Sequence, residues 1–347
     1  MSANRRAARE EGVVLLLVLV ILVSTIATVY AFARTTVLDV VSMRRASDHA
    51  RARLLAESGV RVALRALADD LASSDPLSSA LETPRDAWAL LGQRPIPIQG
   101  AGQLEVRVID GGSRVDLNGL IDATGAAYDQ SEPFLGAALA RIIDGLPGRA
   151  EDKPYDPAKL AAAILDWIDA DDTTADGADE ARTYGRLQAK VQPLDRPLLD
   201  LGELAKVPGV DARLLGELRA YFTVQPLVPT PDRSGVNPNT APPQVLGLIY
   251  LGTAGAMRLV SRDDVFEIMK LREEGKVFCP PGDSDRCVSF DAEIGRVGES
   301  IFPPLQLASS VFAITSRGRV DEAQAQLSIV VDRTHPAAPQ VLEVQGR

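Results

Sequence analysis

The sequence predicts an α+β fold in which a long N-terminal helix packs on an antiparallel sheet, with a large all-helical insertion domain between the strands. Three observations lead to this class. A helical pattern of apolar residues continues from Val13 to Ala72 without a proline. Alternation of apolar and polar residues, typical of half-buried strands, occurs near 103–118 and again after 311. The apolar residues between 119 and 304 recur instead at helical spacing in short segments.

The beginning of this helix has the length and polarity of a membrane-spanning segment. Residues 13–33 carry no charge, and at about 1.5 Å per residue they form a helix about 31 Å long, close to the hydrocarbon thickness of a bilayer. Three arginines precede the run, so a cytoplasmic N-terminus and an exported remainder are expected. A cleaved signal peptide ending at Ala31-Phe32-Ala33 is the alternative. The length of the apolar run and the continuing helical pattern favour a retained helix.

The patterns divide the chain into five segments. A β-hairpin is expected near 103–118, with its turn at Gly111-Gly112. The C-terminal strands are expected at 311–315, 327–331 and 341–344, with a turn at Arg317-Gly318. The predicted boundaries are a leader at 1–12, the membrane half of the helix at 13–33, the helix and hairpin at 34–118, the helical insertion at 119–304 and the last strands at 305–347.

Composition limits the possible functions. The 347 residues carry 37 Lys and Arg against 47 Asp and Glu, a net charge of −10 that repels phosphate backbones. The two histidines, His49 and His335, offer little material for a histidine-based zinc site or a Ser-His-Asp triad. Nucleic-acid binding and common enzyme chemistries are therefore disfavoured.

One loop is unusually acidic. Residues 166–180 contain seven carboxylates and no lysine or arginine, a density that repels itself in a compact loop unless a cation is bound. Oxygen ligands of this kind suit Ca²⁺, and Gly177 lets the chain turn back. The spacing is not that of an EF-hand. A solvated acidic loop with aspartates at helix ends is the alternative, and the residues alone leave both possibilities open.

The two cysteines, Cys279 and Cys287, flank turn residues that include Pro280-Pro281-Gly282. In an exported domain they are expected to be oxidised to a disulfide. Closing so short a loop contributes about 2 to 3 kcal/mol in the chain-entropy model. Free thiols in a cytosolic protein are the alternative, which the apolar helix argues against.

Several motifs in this order carry a resemblance to a known family. The chain resembles the type IV pilin-like proteins, and most closely the minor pseudopilins of the K type in type II secretion systems. The motifs are Gly12 before Val13-Val14-Leu15-Leu16-Leu17, then Arg53-Leu54-Leu55-Ala56-Glu57-Ser58-Gly59-Val60, Asp166-Trp167-Ile168-Asp169-Ala170-Asp171-Asp172, Leu201-Gly202-Glu203-Leu204 with Pro208-Gly209-Val210, and Val236-Asn237-Pro238-Asn239-Thr240-Ala241-Pro242.

The resemblance implies how the N-terminus is processed. A prepilin peptidase would cut after Gly12 and methylate the new amino terminus at Val13. Most pilins have a Glu at the place that Leu17 occupies here. A carboxylate in lipid is costly unless it is paired, so its absence suits a subunit with no neighbour above it, at the tip of a filament.

The resemblance also implies a pilin-like fold and a non-enzymatic role. The protein would be a single-pass inner-membrane subunit with its bulk in the periplasm. It would join minor pseudopilins of the I and J types and the major pseudopilin, without nucleic acid, to initiate a pseudopilus that drives export of folded proteins. Structural calcium is implied at the acidic loop, with Asp166 expected only as a helix cap or an outer partner. The expected ligands are Asp169, Asp171, Asp172, Asp176, Asp179 and Glu180.

Two alternatives belong to other classes of protein. A membrane-tethered periplasmic hydrolase would use a metal at the acidic loop for catalysis. A DNA-uptake protein would use residues 204–210 and the helix from Ala212, which resemble a helix-hairpin-helix. Asp211 stands where DNA-binding forms usually have a second glycine, so a packing role is favoured for this segment.

Overall fold

The computed structural model describes residues 3–148, 153–174, 177–186, 192–225, 235–280, 285–296, 298–335 and 339–346. The helices in these ranges are α1 (Ala3–Leu71), α2 (Pro76–Ala80), α3 (Ala87–Leu90), α4 (Ser131–Gly145), α5 (Pro157–Ile168), α6 (Glu180–Tyr184), α7 (Ala212–Leu218), α8 (Pro243–Leu246), α9 (Arg262–Glu273) and α10 (Phe290–Glu293). The strands are β1 (Ile96–Ile98), β2 (Gly102–Asp110), β3 (Val115–Asp116), β4 (Phe222–Thr223), β5 (Tyr250–Thr253), β6 (Ala256–Leu259), β7 (Val277–Phe278), β8 (Cys287–Val288), β9 (Ser300–Phe302), β10 (Val311–Val320), β11 (Ala323–Asp332) and β12 (Gln340–Gly346).

Helix α1 is continuous through both its membrane-length half and its packed half. Its side chains from 14 to 46 are exposed, whereas one face is buried from residue 52 onward. The buried positions recur at three or four residues, as expected for one side of an α-helix. They are Ala52, Ala56, Val60, Ala63 and Leu67.

A five-stranded antiparallel sheet receives this buried face. Its strand order is β1-β2-β10-β11-β12, so the first two strands pair with the last three across the whole insertion. Alternate residues of β2, including Leu104 and Val106, point toward α1, as do Phe312 and Ile314 of β10. The predicted α+β class, with the long helix on an antiparallel sheet, is confirmed.

Two glycines allow the helix and the sheet to approach closely. A Cβ on Gly318 of β10 would lie 2.7 Å from Leu55 Cβ and 2.9 Å from Ala56 N, and one on Gly59 would lie 2.8 Å from Val106 Cγ2. The predicted turn at Arg317-Gly318 is therefore wrong, because β10 continues through it to Val320. The turn lies at Asp321, whose φ is +49°.

The predicted β-hairpin is also corrected. Strand β2 forms its hairpin with β1 on its N-terminal side. Val115 and Asp116 pair instead in parallel with Phe222 and Thr223 of β4. The cause is the segment after Asp110, whose carboxylate accepts a hydrogen bond from Gly112 N and turns the chain out of the sheet.

The insertion is predominantly helical but contains strands, so the expectation of an all-helical domain is wrong. Strands β6, β5 and β9 form a three-stranded antiparallel sheet. Helix α8 ends at Leu246, and the apolar residues that follow it form β5, which turns into β6 at Gly255, where φ is +80°. A short apolar run cannot by its spacing alone be distinguished from a buried strand.

The insertion is joined to the end of the sheet that is farthest from the membrane-length half of α1. The chain passes from β2 into the insertion after Asp110 and returns to the sheet at Val311. These two points are adjacent, because Asp110 pairs with Phe312. At the same end, Arg333 donates a hydrogen bond to Leu67 O near the end of α1. The insertion is therefore a head placed opposite the N-terminal half of α1.

Candidate functional site

The N-terminal half of α1 is the candidate membrane segment. It is the one helix in the described ranges that is long and apolar enough to cross a bilayer, with a mean hydropathy of 2.7 over its best window and none of that window buried. Gly12 and Val13 both belong to α1, but their surroundings lie outside what the structure describes.

Further along α1, apolar side chains remain exposed on the side that faces away from the sheet. Their spacing places them on a common face, opposite the buried positions. The exposed fractions are 57% for Val40, 63% for Met43, 62% for Leu54 and 41% for Val62. We call these four residues the free face of α1. Their exposed apolar side chains are available to contact another helix.

The second candidate site is a cluster of carboxylates between α5 and α6. Helix α5 ends near Asp169, and the loop returns to the first turn of α6 at Glu180. Tyr184 Oη donates a hydrogen bond to Asp166 Oδ2 at 2.6 Å, and the Tyr184 ring contacts Trp167 edge to face. These contacts hold the C-terminal turn of α5 against α6.

The electrostatics of this cluster favour a bound cation. Burial, together with the charges of Asp171 and Asp166, raises the pKa of Asp169 to about 7. Burial also raises the pKa of Glu180 to about 8, again with Asp166 and Asp169 adding to the effect. Asp169 Oδ1 and Glu180 Oε1 are buried oxygens without a hydrogen-bond partner among the described residues. Such oxygens are suited to a hard cation such as Ca²⁺.

The other expected ligands are Asp171, Asp172, Asp176 and Asp179, and the three that the structure describes already accept hydrogen bonds from the backbone. Asp171 lies near the cluster but its Oδ1 accepts a hydrogen bond from Thr173 N at 2.7 Å. Asp172 accepts a hydrogen bond from Glu180 N through its backbone oxygen. Asp179 caps α6 by accepting from Arg182 N, also at 2.7 Å. Asp176 lies outside the described residues.

The structure adds one carboxylate that the sequence analysis missed. Asp195 is close enough for its charge to raise the pKa of both Asp169 and Glu180. It lies outside the acidic stretch and has a left-handed backbone conformation, with φ +49°. Spacing in the sequence contains no signal for this approach.

Cys279 and Cys287 are paired across the parallel strands β7 and β8, with their Cα atoms 5.8 Å apart. Cys279 is buried beside Leu81 and Val277, while Leu307 packs against this cluster. The pair therefore lies where the insertion meets the segment after α1. That both thiols are oxidised in solution stays a prediction.

The segment that resembles a helix-hairpin-helix packs inside the insertion. Leu204, Val207, Val210 and Leu214 are buried in its hydrophobic core. Gly209, with φ +88°, lies against Leu160 of α5. These apolar side chains act in packing.

Comparisons with known proteins agree with the fold. A family model described as protein K of the type II secretion system matches residues 113–227. Type II secretion system protein K of Klebsiella pneumoniae is 25% identical over 237 residues, which are 66% of this chain and 69% of the relative. The protein of that name from Pectobacterium carotovorum subsp. carotovorum is 24% identical over 153 residues, 44% of each chain.

A solved structure shares the fold. A chain in the crystal structure of the GspK-GspI-GspJ complex from the enterotoxigenic Escherichia coli type 2 secretion system matches with a TM-score of 0.60 and 20% sequence identity. The match covers 88% of this chain and 99% of that chain.

A long helix with an apolar N-terminal half, packed on an antiparallel sheet, defines the pilin-like class of proteins. The helical head and the matched sequence narrow this class. Within it, the chain is similar to protein K of type II secretion systems, through the family model over residues 113–227 and through the curated relatives. Neither the hydrolase nor the DNA-uptake alternative is favoured by these comparisons.

Proposed function

We propose that the protein is a non-enzymatic subunit at the tip of a type II secretion pseudopilus. It would be tethered in the inner membrane by the N-terminal half of α1, with the remainder in the periplasm. From there it would help to initiate the filament that exports folded proteins across the outer membrane. The observation that carries this proposal is the unbroken α1, because one helix joins a membrane-length segment to the core of the head-bearing domain.

The position of the insertion supports a place at the tip. It is attached at the end of the sheet that is opposite the membrane-length half of α1. A head of this size would obstruct any subunit stacked above it. Leu17, in place of the usual pilin glutamate, removes a charged contact to such a subunit and agrees with this position.

The free face of α1 supports association with other helices. The similar fold in the GspK-GspI-GspJ complex belongs to a protein that binds two further subunits. We infer that minor pseudopilins of the I and J types bind this chain through α1, and that the major pseudopilin follows them. Cleavage by a prepilin peptidase after Gly12, with methylation of Val13, would prepare the helix for this assembly.

Co-purification tests this proposal. The full chain, tagged and co-expressed with I-type and J-type subunits, should retain both in detergent. Leu54→Gln should reduce their recovery about tenfold, which corresponds to about 1.4 kcal/mol of lost association free energy. The matched control is Leu199→Gln, because Leu199 is 64% exposed and Leu54 is 62% exposed. Failure of the unmodified chain to retain either subunit would refute the proposal.

We also propose that the carboxylate cluster binds structural Ca²⁺. Asp169 and Glu180 would supply its buried oxygens. Asp171 and Asp195 are near enough for their charges to act on both groups, and Tyr184 holds Asp166 beside them. The unpartnered Asp169 Oδ1 and Glu180 Oε1 support this assignment. Calcium would neutralise the clustered charge and join α5, α6 and the segment near Asp195.

Thermal unfolding of the full chain with calcium and with chelator tests the metal site. At a calcium concentration about one hundred times the Kd, the gain is about 2.7 kcal/mol, or about 5 to 10 °C in Tm. Glu180→Gln should reduce this gain, while the exposed control Glu217→Gln should not. Equal Tm values for the unmodified chain in calcium and in chelator would contradict the proposal.

A further inference from the structure

The open face of the main sheet carries a groove lined by arginines. Arg107 lies on β2 between Val106 and Val108, which point to α1, so its side chain points to the opposite face. Two adjoining clefts of about 380 and 460 Å³ share Arg107 and Ile109 in their walls. We call this surface the arginine groove, defined by Arg94, Arg107, Arg114 and Arg317.

Most of this positive charge is uncompensated. Arg317 pairs with Glu105 at 3.2 Å and also donates to Gln326. In the described parts of the chain, the guanidinium groups of Arg94, Arg107 and Arg114 have no ion pair or hydrogen bond. Burial lowers the pKa of Arg114, and the neighbouring charge of Arg107 lowers it further. A bound anion would reduce the unfavourable free energy of holding these like charges close together and partly buried.

The one buried acid in the wall of the groove is already engaged. Asp110 accepts hydrogen bonds from Gly112 N at 2.8 Å, from Asn237 Nδ2 at 3.0 Å and from the Thr240 hydroxyl. These donors belong to the junction between the sheet and the insertion. Asp110 therefore stabilises that junction and does not neutralise the arginines.

We propose that the arginine groove binds an acidic segment of a partner polypeptide. The guanidinium groups provide paired donors for Asp and Glu carboxylates. Trp88, Pro84 and Pro242 add apolar walls beside them, which suit the aliphatic parts of peptide side chains. The positive charge of the groove is complementary to the negative charge of such a segment.

Two other kinds of anion fit the groove less well. Val106 lies beside Gly59, which is about 39 Å along α1 from the end of the apolar run at Ala33, so lipid headgroups are out of reach. A polyphosphate chain has no apolar groups to place against Trp88, Pro84 and Pro242, whereas peptide side chains do. The groove also lies on the sheet face opposite α1, so a subunit bundled along α1 leaves it accessible.

Binding of a fluorescein-labelled polyglutamate peptide to the full chain in detergent tests this proposal. Fluorescence anisotropy should detect saturable binding that weakens at high salt. The double variant Arg107→Gln with Arg114→Gln should weaken binding at least about tenfold, because two charge-assisted contacts are lost. The matched control is Arg53→Gln with Arg65→Gln, which removes two exposed arginines of α1 and should bind like the unmodified chain.

The outcomes separate a peptide site from a general anion site. Inorganic phosphate at equal charge concentration should displace the peptide poorly. Efficient displacement by phosphate would overturn the assignment to polypeptide. Absence of peptide binding to the unmodified chain, or equal binding by the groove variant and the control, would overturn the proposal as a whole. Circular dichroism of both variants establishes that they are folded, so a loss of binding reports on the groove.

Discussion

Replacing Arg333 by methionine should lower the free energy of unfolding by about 3 to 5 kcal/mol, because the change leaves buried carboxylates without their cation. The Arg333 side chain is 5% exposed, and those of Asp70 and Glu82 are each 2% exposed. Arg333 Nη1 lies 3.1 Å from Asp70 Oδ2, and Nη2 bonds to Glu82 Oε1. The guanidinium carbon also lies 4.4 Å from the centre of the Phe312 ring.

The choice of methionine separates charge from packing. Its unbranched side chain keeps an apolar contact with Phe312, so the main loss is the pairing of Asp70 and Glu82. Burial raises the pKa of Glu82 to about 8 even though Arg333 lowers it. The remaining carboxyls are therefore expected to take up protons as the pH falls. The loss caused by the substitution should be larger at pH 8 than at pH 5.

Urea unfolding of the full chain in detergent, followed by circular dichroism, measures this effect through the midpoint at constant slope. Arg65→Met is the matched control, because Arg65 forms an exposed pair with Asp69 at 2.7 Å, and it should change stability by less than about 1 kcal/mol. Adding Glu82→Gln to Arg333→Met should recover part of the loss. A loss below about 1 kcal/mol at pH 8, or one that is equal at both pH values, would refute the reasoning.

Three further predictions concern packing, the disulfide and pH. Gly318→Val should lower the free energy of unfolding by about 1 to 3 kcal/mol, because the new side chain meets α1. Gly346→Val on strand β12 should leave it nearly unchanged in the same assay, because a Cβ there has open space. Cys279→Ala with Cys287→Ala should cost about 2 to 3 kcal/mol, and an unmodified chain that reacts with thiol reagents when unfolded without reductant would contradict the disulfide. In chelator, the free energy of unfolding should fall as the pH rises from about 4 to 8. The reason is that folding raises the pKa of Glu82 and of Glu180 from 4.5 to about 8, and that of Asp169 from 3.8 to about 7. Calcium should reduce this slope, and a stability that rises over that range in chelator would contradict the raised pKa values.

Local pattern and composition determined much of the architecture. The uncharged run and the helical periodicity predicted α1, because a helix presents the same face every three or four residues wherever it packs. Period-two alternation predicted the long strands β2, β10 and β11 for a similar reason. The acidic composition of 166–180 predicted the carboxylate cluster, because residues close in sequence stay close in space.

Other features depended on contacts between residues that are distant in sequence. Gly318 marks a close approach to α1 rather than a turn, and only the position of the helix decides between the two. Val115 pairs with Phe222 instead of with β2, because the turn after Asp110 leads the chain into the insertion. Asp195 joins the acidic cluster by the same kind of packing between separate segments. Sequence patterns record the period of one element, whereas these sites arise where separate elements meet.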